Sequence, residues 1–134
     1  MMILQTTTFA FLTFGILGLN GCNQEDVQKV QLDVIATAYT SNASQTDDTP
    51  FLAAWNNQLK PGVKSIAVSR DLLEMGLKNG SKVSIVGLPG EYVVLDKMHR
   101  RWEKKIDIYM GLDHDQAKQW GKQKVTIQWV ADSI

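Results

Sequence analysis

The chain has 134 residues, room for one domain with a single hydrophobic core. Apolar residues make up 44% and charged residues 21%, which excludes disorder along most of its length. Lysine plus arginine equal aspartate plus glutamate at 14 each, so net charge recruits neither nucleic acid nor an acidic partner.

The N-terminus differs from the rest. No Asp, Glu, Lys or Arg precedes Glu25, and Phe9 to Leu19 (FAFLTFGILGL) is almost wholly apolar. As a helix this stretch would rise about 16 Å, short of the ~30 Å hydrocarbon core of a bilayer. Its length fits the h-region of a signal peptide. Leu19-Asn20-Gly21-Cys22 follows and resembles the lipobox of bacterial lipoproteins, where a small residue precedes a cysteine that is acylated. The stretch departs from that pattern in lacking a basic n-region and in Asn20. Cys22 is the single cysteine, so no intramolecular disulfide forms, and acylation would account for the lone thiol of an exported chain. The expected organisation is a signal over 1–22, a tether over 23–31 and a domain over 32–130. The resemblance implies export to the bacterial envelope and a lipid anchor at Cys22. Asn23, in place of an Asp after the cysteine, points to the periplasmic side of the outer membrane. A buried apolar helix with one packed cysteine is the other reading.

Leu32 to Tyr39 (LDVIATAY) has the β-branched and aromatic content of a strand. Thr40 to Pro50 (TSNASQTDDTP) is a polar loop, longer than a hairpin needs and therefore a candidate functional loop, followed by a short apolar piece around Trp55. Two stretches, 59–64 and 77–82, each place a turn dipeptide before a strand, SIAVS and VSIVG. Their likeness fits two pseudo-symmetric halves or two unrelated turns. Between them Arg70 to Met75 fits one or two helical turns stopped by Gly76. Pro89-Gly90 turns the chain into the strand Glu91 to Asp96. A basic loop from Lys97 to Lys105 leads to Ile106 to Met110, where apolar and polar positions alternate. Asp113 with Gln116 has the form of a capping box, which predicts a helix over 113–120 closing at Gly121. Lys124 to Val130 alternates again and is the last strand. Six or so short strands with two short helices predict a mainly β domain, a small barrel rather than βαβ units.

No Cys or His pair has metal-ligand spacing, no glycine-rich phosphate loop is present, and no serine lies in a G-x-S-x-G setting. No metal or cofactor is therefore expected. The acids are the better lead. Asp96 ends an apolar strand and Asp107 interrupts another, where Asp is a poor β former. Were the two strands a hairpin, both carboxyls would meet near its open end. Repulsion and burial would then keep one protonated near neutral pH, as a general acid acting on a glycosidic oxygen requires. On periodicity alone Asp107 fits better as a polar position on the solvent face of an edge strand.

Several short motifs bear on this choice. Ala36-Thr37-Ala38-Tyr39-Thr40, Ile66-Ala67-Val68, Gly87 to Asp96, Ile106-Asp107-Ile108-Tyr109 and Ala117 to Gly121 occur in that order over nearly all of 32–130. Together they resemble the three-aspartate domain, the catalytic double-psi β-barrel of membrane-bound lytic transglycosylase A and of smaller cell-wall proteins. The fold expected from the resemblance is a six-stranded double-psi β-barrel with one or two short helices. Asp107 matches the family's catalytic acid, and Asp96 matches the aspartate that opens an Asp-Thr-Gly-Gly loop. This chain departs from the family twice: Ser69 stands at the third aspartate, and Asp96-Lys97-Met98-His99 replaces the glycine loop. Ser and Asp are near-equivalent helix N-caps, so position 69 reads as architectural.

The resemblance implies a lytic cut of the bond between N-acetylmuramic acid and N-acetylglucosamine in peptidoglycan. Asp107 would act as acid and then base, and Asp96 would tune it or stabilise positive charge at C1. Tyr39 and Thr40 would line the groove. In the basic loop Trp102 would stack on sugar and Arg100 pair with stem-peptide carboxylates; a solvated loop with one anchoring Trp is the equal alternative. Trp55, Trp120 and Trp129 read as core or groove wall, and nucleic acid is not an expected partner. The expected protein is a monomer acting on glycan strands. The alternative function is a non-catalytic peptidoglycan-binding or scaffold lipoprotein with the same fold.

Overall fold

The computed structural model describes residues 28–41 and 51–131. Within them lie strands β1 (Gln28–Tyr39), β2 (Ser65–Val68), β3 (Lys82–Ile85), β4 (Glu91–Lys97), β5 (Lys105–Tyr109) and β6 (Gln123–Ala131). Two short α-helices, α1 (Arg70–Glu74) and α2 (His114–Trp120), and a 3-10 turn at Ala54–Asn56 complete the set. Hydrogen bonding runs β1-β5-β2-β4-β3-β6, and β6 returns to β1, so the sheet closes on itself. The sheet is mixed: β1 with β5 and β2 with β4 are parallel, and the other pairs are antiparallel.

The alternation in the sequence becomes the inner and outer faces. Val34 and Ala36 of β1, Ile66 and Val68 of β2, and Ile106 and Ile108 of β5 turn inward and are buried. The odd-numbered neighbours Thr37, Ala67 and Asp107 share the opposite face. Leu72 of α1 is fully buried in the same core, and Gly76, at φ 106, takes the left-handed conformation that stops the helix. Helix α2 starts as the sequence requires, with Asp113 Oδ1 accepting from the Gln116 N–H at 3.0 Å. Trp120 ties it to β1 by donating from Nε1 to the Ala36 carbonyl at 3.1 Å.

The strand pairing expected for the double-psi β-barrel needs correction. The pairings establish a six-stranded mixed sheet with two short helices, in which β4 and β5 are not a hairpin, because β2 lies between them. The connection from Lys97 to Lys105 is long enough to step across the end of β2. There Met98 N–H bonds to the Val68 carbonyl, and Ser69 N–H bonds to that of Lys105. The tether is also shorter than expected. Gln28 to Gln31 belong to β1, paired with Ala131 to Gln128 of β6, so the domain starts before residue 32. The signal, Cys22 and the remaining tether lie outside the described residues, as does most of the 40–50 loop.

Candidate functional site

The two aspartates meet on the outer face by a route the hairpin did not anticipate. Ala67 of β2 is paired with Asp107 of β5 on one side and with Asp96 of β4 on the other, and Thr37 of β1 is paired with Asp107. Thr37, Asp107, Ala67 and Asp96 thus form one row across four strands. Two strand spacings of about 4.8 Å separate the aspartate backbones. Ala67 stands between them with only a methyl group, and the Tyr39 side chain reaches across the row to Asp96.

Asp96 faces outward because of a bulge. Ile66 is paired with Val94, but the next residue of β2, Ala67, is paired with Asp96, leaving Leu95 as an extra residue in β4. Tyr92 and Val94 point into the core, and regular alternation would send Asp96 after them. One inserted residue reverses the parity and turns the carboxylate to the face of Asp107.

Each carboxylate is differently held. Asp96 Oδ1 accepts backbone N–H groups from Ala54 and Lys97, both at 2.9 Å, and its Oδ2 accepts the Tyr39 hydroxyl at 3.4 Å. Asp107 accepts the Thr37 hydroxyl at 3.1 Å. Burial pushes the Asp107 carboxyl above the usual carboxylate range, and Asp96 pushes it further; the Thr37 bond and the positive charge of Lys105 pull it back. Burial, then the charges of Asp96 and Asp107, hold the Tyr39 phenol firmly protonated. The arrangement pairs a carboxyl inclined to keep its proton with one solvated by fixed donors. That is the division of labour an acid and an electrostatic partner need.

A short excursion of the chain covers the row on the β4 side. Asn57 Nδ2 donates to the Leu95 carbonyl at 2.9 Å, Ala53 N–H to the Asn57 carbonyl, and Leu59 N–H to the Phe51 carbonyl. This pins residues 51–59 to the bulged strand.

The other expected site residues fall in different places. Tyr39 is in the site, with its ring 5.3 Å from that of Tyr109. Thr40 is adjacent, but its hydroxyl is engaged with His114 Nδ1 at 2.8 Å, so it braces β1 against α2. Trp102 is near the site through Lys105, whose Nζ lies 3.6 Å from the ring centroid. Trp102 also borders, together with Arg100, a hollow of about 290 Å³ beside Arg70, Asp71 and Glu74 of α1, which neither aspartate of the row lines. Ser69 is the N-cap of α1 by position but makes no capping bond; its buried Oγ accepts the Lys105 N–H at 3.0 Å. A hollow of about 650 Å³ lined by Lys29, Lys82, Ser84, Glu91 and Gln128 borders neither aspartate. Among the described residues no group of three His, Cys, Asp or Glu could hold a metal, and no helix is long and apolar enough to cross a membrane.

Sequence reasoning had Thr37 in a motif and Lys105 in the basic loop but missed the action of both on Asp107, and it missed the 51–59 excursion. Thr37 had a signal, its strand parity with Tyr39; the others depend on pairing partners distant in the chain.

No family model matches this chain, and no curated protein matches it. Membership of the three-aspartate family is therefore withdrawn. With it go the double-psi fold name, the identity as a lytic transglycosylase and the outer-membrane placement; Cys22 and its expected lipid lie outside the described residues. The site stands on its own geometry.

Proposed function

We propose that this protein cleaves glycosidic bonds of a cell-envelope glycan, with Asp107 as general acid and base and Asp96 as its electrostatic partner. The observation that carries the reading is the row in which Asp107 and Asp96 flank Ala67 on one face, the first pushed by burial above the usual carboxylate range. Asp107 would protonate the leaving glycosidic oxygen while Asp96, whose Oδ1 accepts two backbone N–H groups, stabilises positive charge developing at C1. Asp107, now a carboxylate, would then take a proton from the attacking hydroxyl, whether of water or of the sugar itself. The apolar stretch before Cys22 supports export, and peptidoglycan strands are the substrate met there. Acylated Cys22 would keep the domain beside them.

A second reading is a glycan-binding domain without cleavage. The three donors spent on Asp96 favour it, since a carboxylate so fully bonded also serves to pin the 51–59 excursion.

The test is to incubate the chain lacking residues 1–22 with purified peptidoglycan and analyse the products by mass spectrometry. Fragments that disappear with Asp107→Asn support cleavage, and their ends distinguish a lytic from a hydrolytic cut. Binding without fragments supports the second reading, and neither binding nor fragments overturns both.

A further inference from the structure

The geometry points to Trp55 as a stacking platform for a sugar ring of the bound glycan, placed beside the carboxylates by the 51–59 excursion. This rests on the proposed glycan substrate. Trp55 and Asn56 both adopt left-handed backbone conformations, with φ of 56 and 60. Such conformations are unfavourable for a residue carrying a bulky side chain, and they persist where the surroundings enforce them. The enforcement is visible: Ala54 N–H is bonded to Asp96, Asn57 Nδ2 to the Leu95 carbonyl, and the ends of the excursion to each other.

Core packing does not explain the conformation. No residue of the 3-10 turn is buried, and Trp55 is 37% exposed. Phe51 and Leu52, close in sequence, are exposed as well, at 36% and 47%. Lys97 Nζ lies over the indole, 5.4 Å from the ring centroid, and helps fix its orientation. An exposed indole held in a strained turn matches the C–H face of a pyranose. Sugar hydroxyls at the ring's rim would remain free for the neighbouring polar groups. The residue before Trp55 is bonded directly to Asp96, which sets the turn that carries the indole at the edge of the carboxylate row.

Binding of a chitin hexasaccharide, a soluble chain of N-acetylhexosamines, tests this by calorimetry. The chain lacking residues 1–22 is used in an Asp107→Asn background, so that the ligand is not consumed. Trp55→Gly is expected to weaken binding about tenfold or more. Its thermal midpoint combines the strain that glycine relieves at positive φ with the loss of the covered part of the indole, so far-UV circular dichroism is used to confirm that the fold is kept. Asn56→Gly should raise the midpoint while leaving binding unchanged. Unaltered binding in Trp55→Gly would overturn the platform and leave the glycan substrate standing. Absence of binding by the parent would overturn both. Self-association of the parent that is abolished by Trp55→Gly, without effect on the sugar, would assign the patch to a second copy of the chain and overturn the proposal.

Discussion

The phenol of Tyr39 donates a hydrogen bond to the carboxylate of Asp96, although β5 and β2 lie between the strands that carry them. The bond spans the outer row and passes the level of Ala67 and Asp107, so it fastens one side of the site to the other. Its 3.4 Å length places it among the weaker bonds. Tyr39→Phe should therefore lower stability by about 0.5–1.5 kcal/mol, nearer the lower figure, with the ring contact to Tyr109 retained. Urea denaturation of the two proteins measures this; a loss well above that range would mean that the ring itself had moved.

Asp107 links stability to pH. Its folded pKa lies above the ordinary 3.8 because of burial. Between the unfolded and folded values the native state holds a proton that the unfolded chain has released. Stability from this group is full below the unfolded pKa and falls as pH rises through the folded one. Asp107→Asn removes the titration, so the variant should gain on the wild type as pH is raised from about 4 to 7. Urea midpoints across that interval show it, and a difference independent of pH would contradict the assignment.

Neighbours should move the Asp107 titration in opposite directions. The Thr37 hydroxyl bond favours the ionised form, so Thr37→Val raises the pKa further; Asp96 disfavours that form, so Asp96→Asn lowers it. Carboxyl-carbon NMR titration reads both without any assay of activity. If Asp107 is also the acid, the alkaline limb of the rate profile in Thr37→Val should shift upward with it.

Deleting Leu95 should destroy the site from a position outside it. Without the bulged residue β4 would pair regularly with β2, and Asp96 would follow Tyr92 and Val94 toward the core. A carboxylate aimed inward, with its bonds to Ala54 and Lys97 broken, is expected to cost about 3 kcal/mol or more. Thermal unfolding checks this, whereas Leu95→Ala, which keeps the extra backbone unit, should fall short of that cost.

How much of this was legible in the sequence follows from how local each signal is. The alternation in 106–110 and 124–130 marked β5 and β6, and the Asp113–Gln116 spacing marked the start of α2, because each pattern is complete within one turn or strand. The insertion of β2 between β4 and β5 was not legible, since it depends on which distant backbone satisfies which carbonyl. Gln28 to Gln31 look like linker because only Val30 among them is apolar, and β6 supplies the partner that makes them a strand. Both aspartates could be singled out as unusual in strands. The parity that unites them could not, because Leu95 looks like one more apolar residue of its run. Trp55 gave no sign of its left-handed backbone, which is imposed by bonds to β4.

The early start of β1 has a mechanical consequence for a lipid-anchored protein. With Gln28 fixed in the sheet, only residues 23–27 separate the domain from Cys22. Such a length of chain spans at most about 20 Å when fully extended. If Cys22 carries the lipid, the domain sits on a leash shorter than the thickness of the bilayer that holds it. Its targets would then be chosen by their distance from the membrane surface as much as by their chemistry.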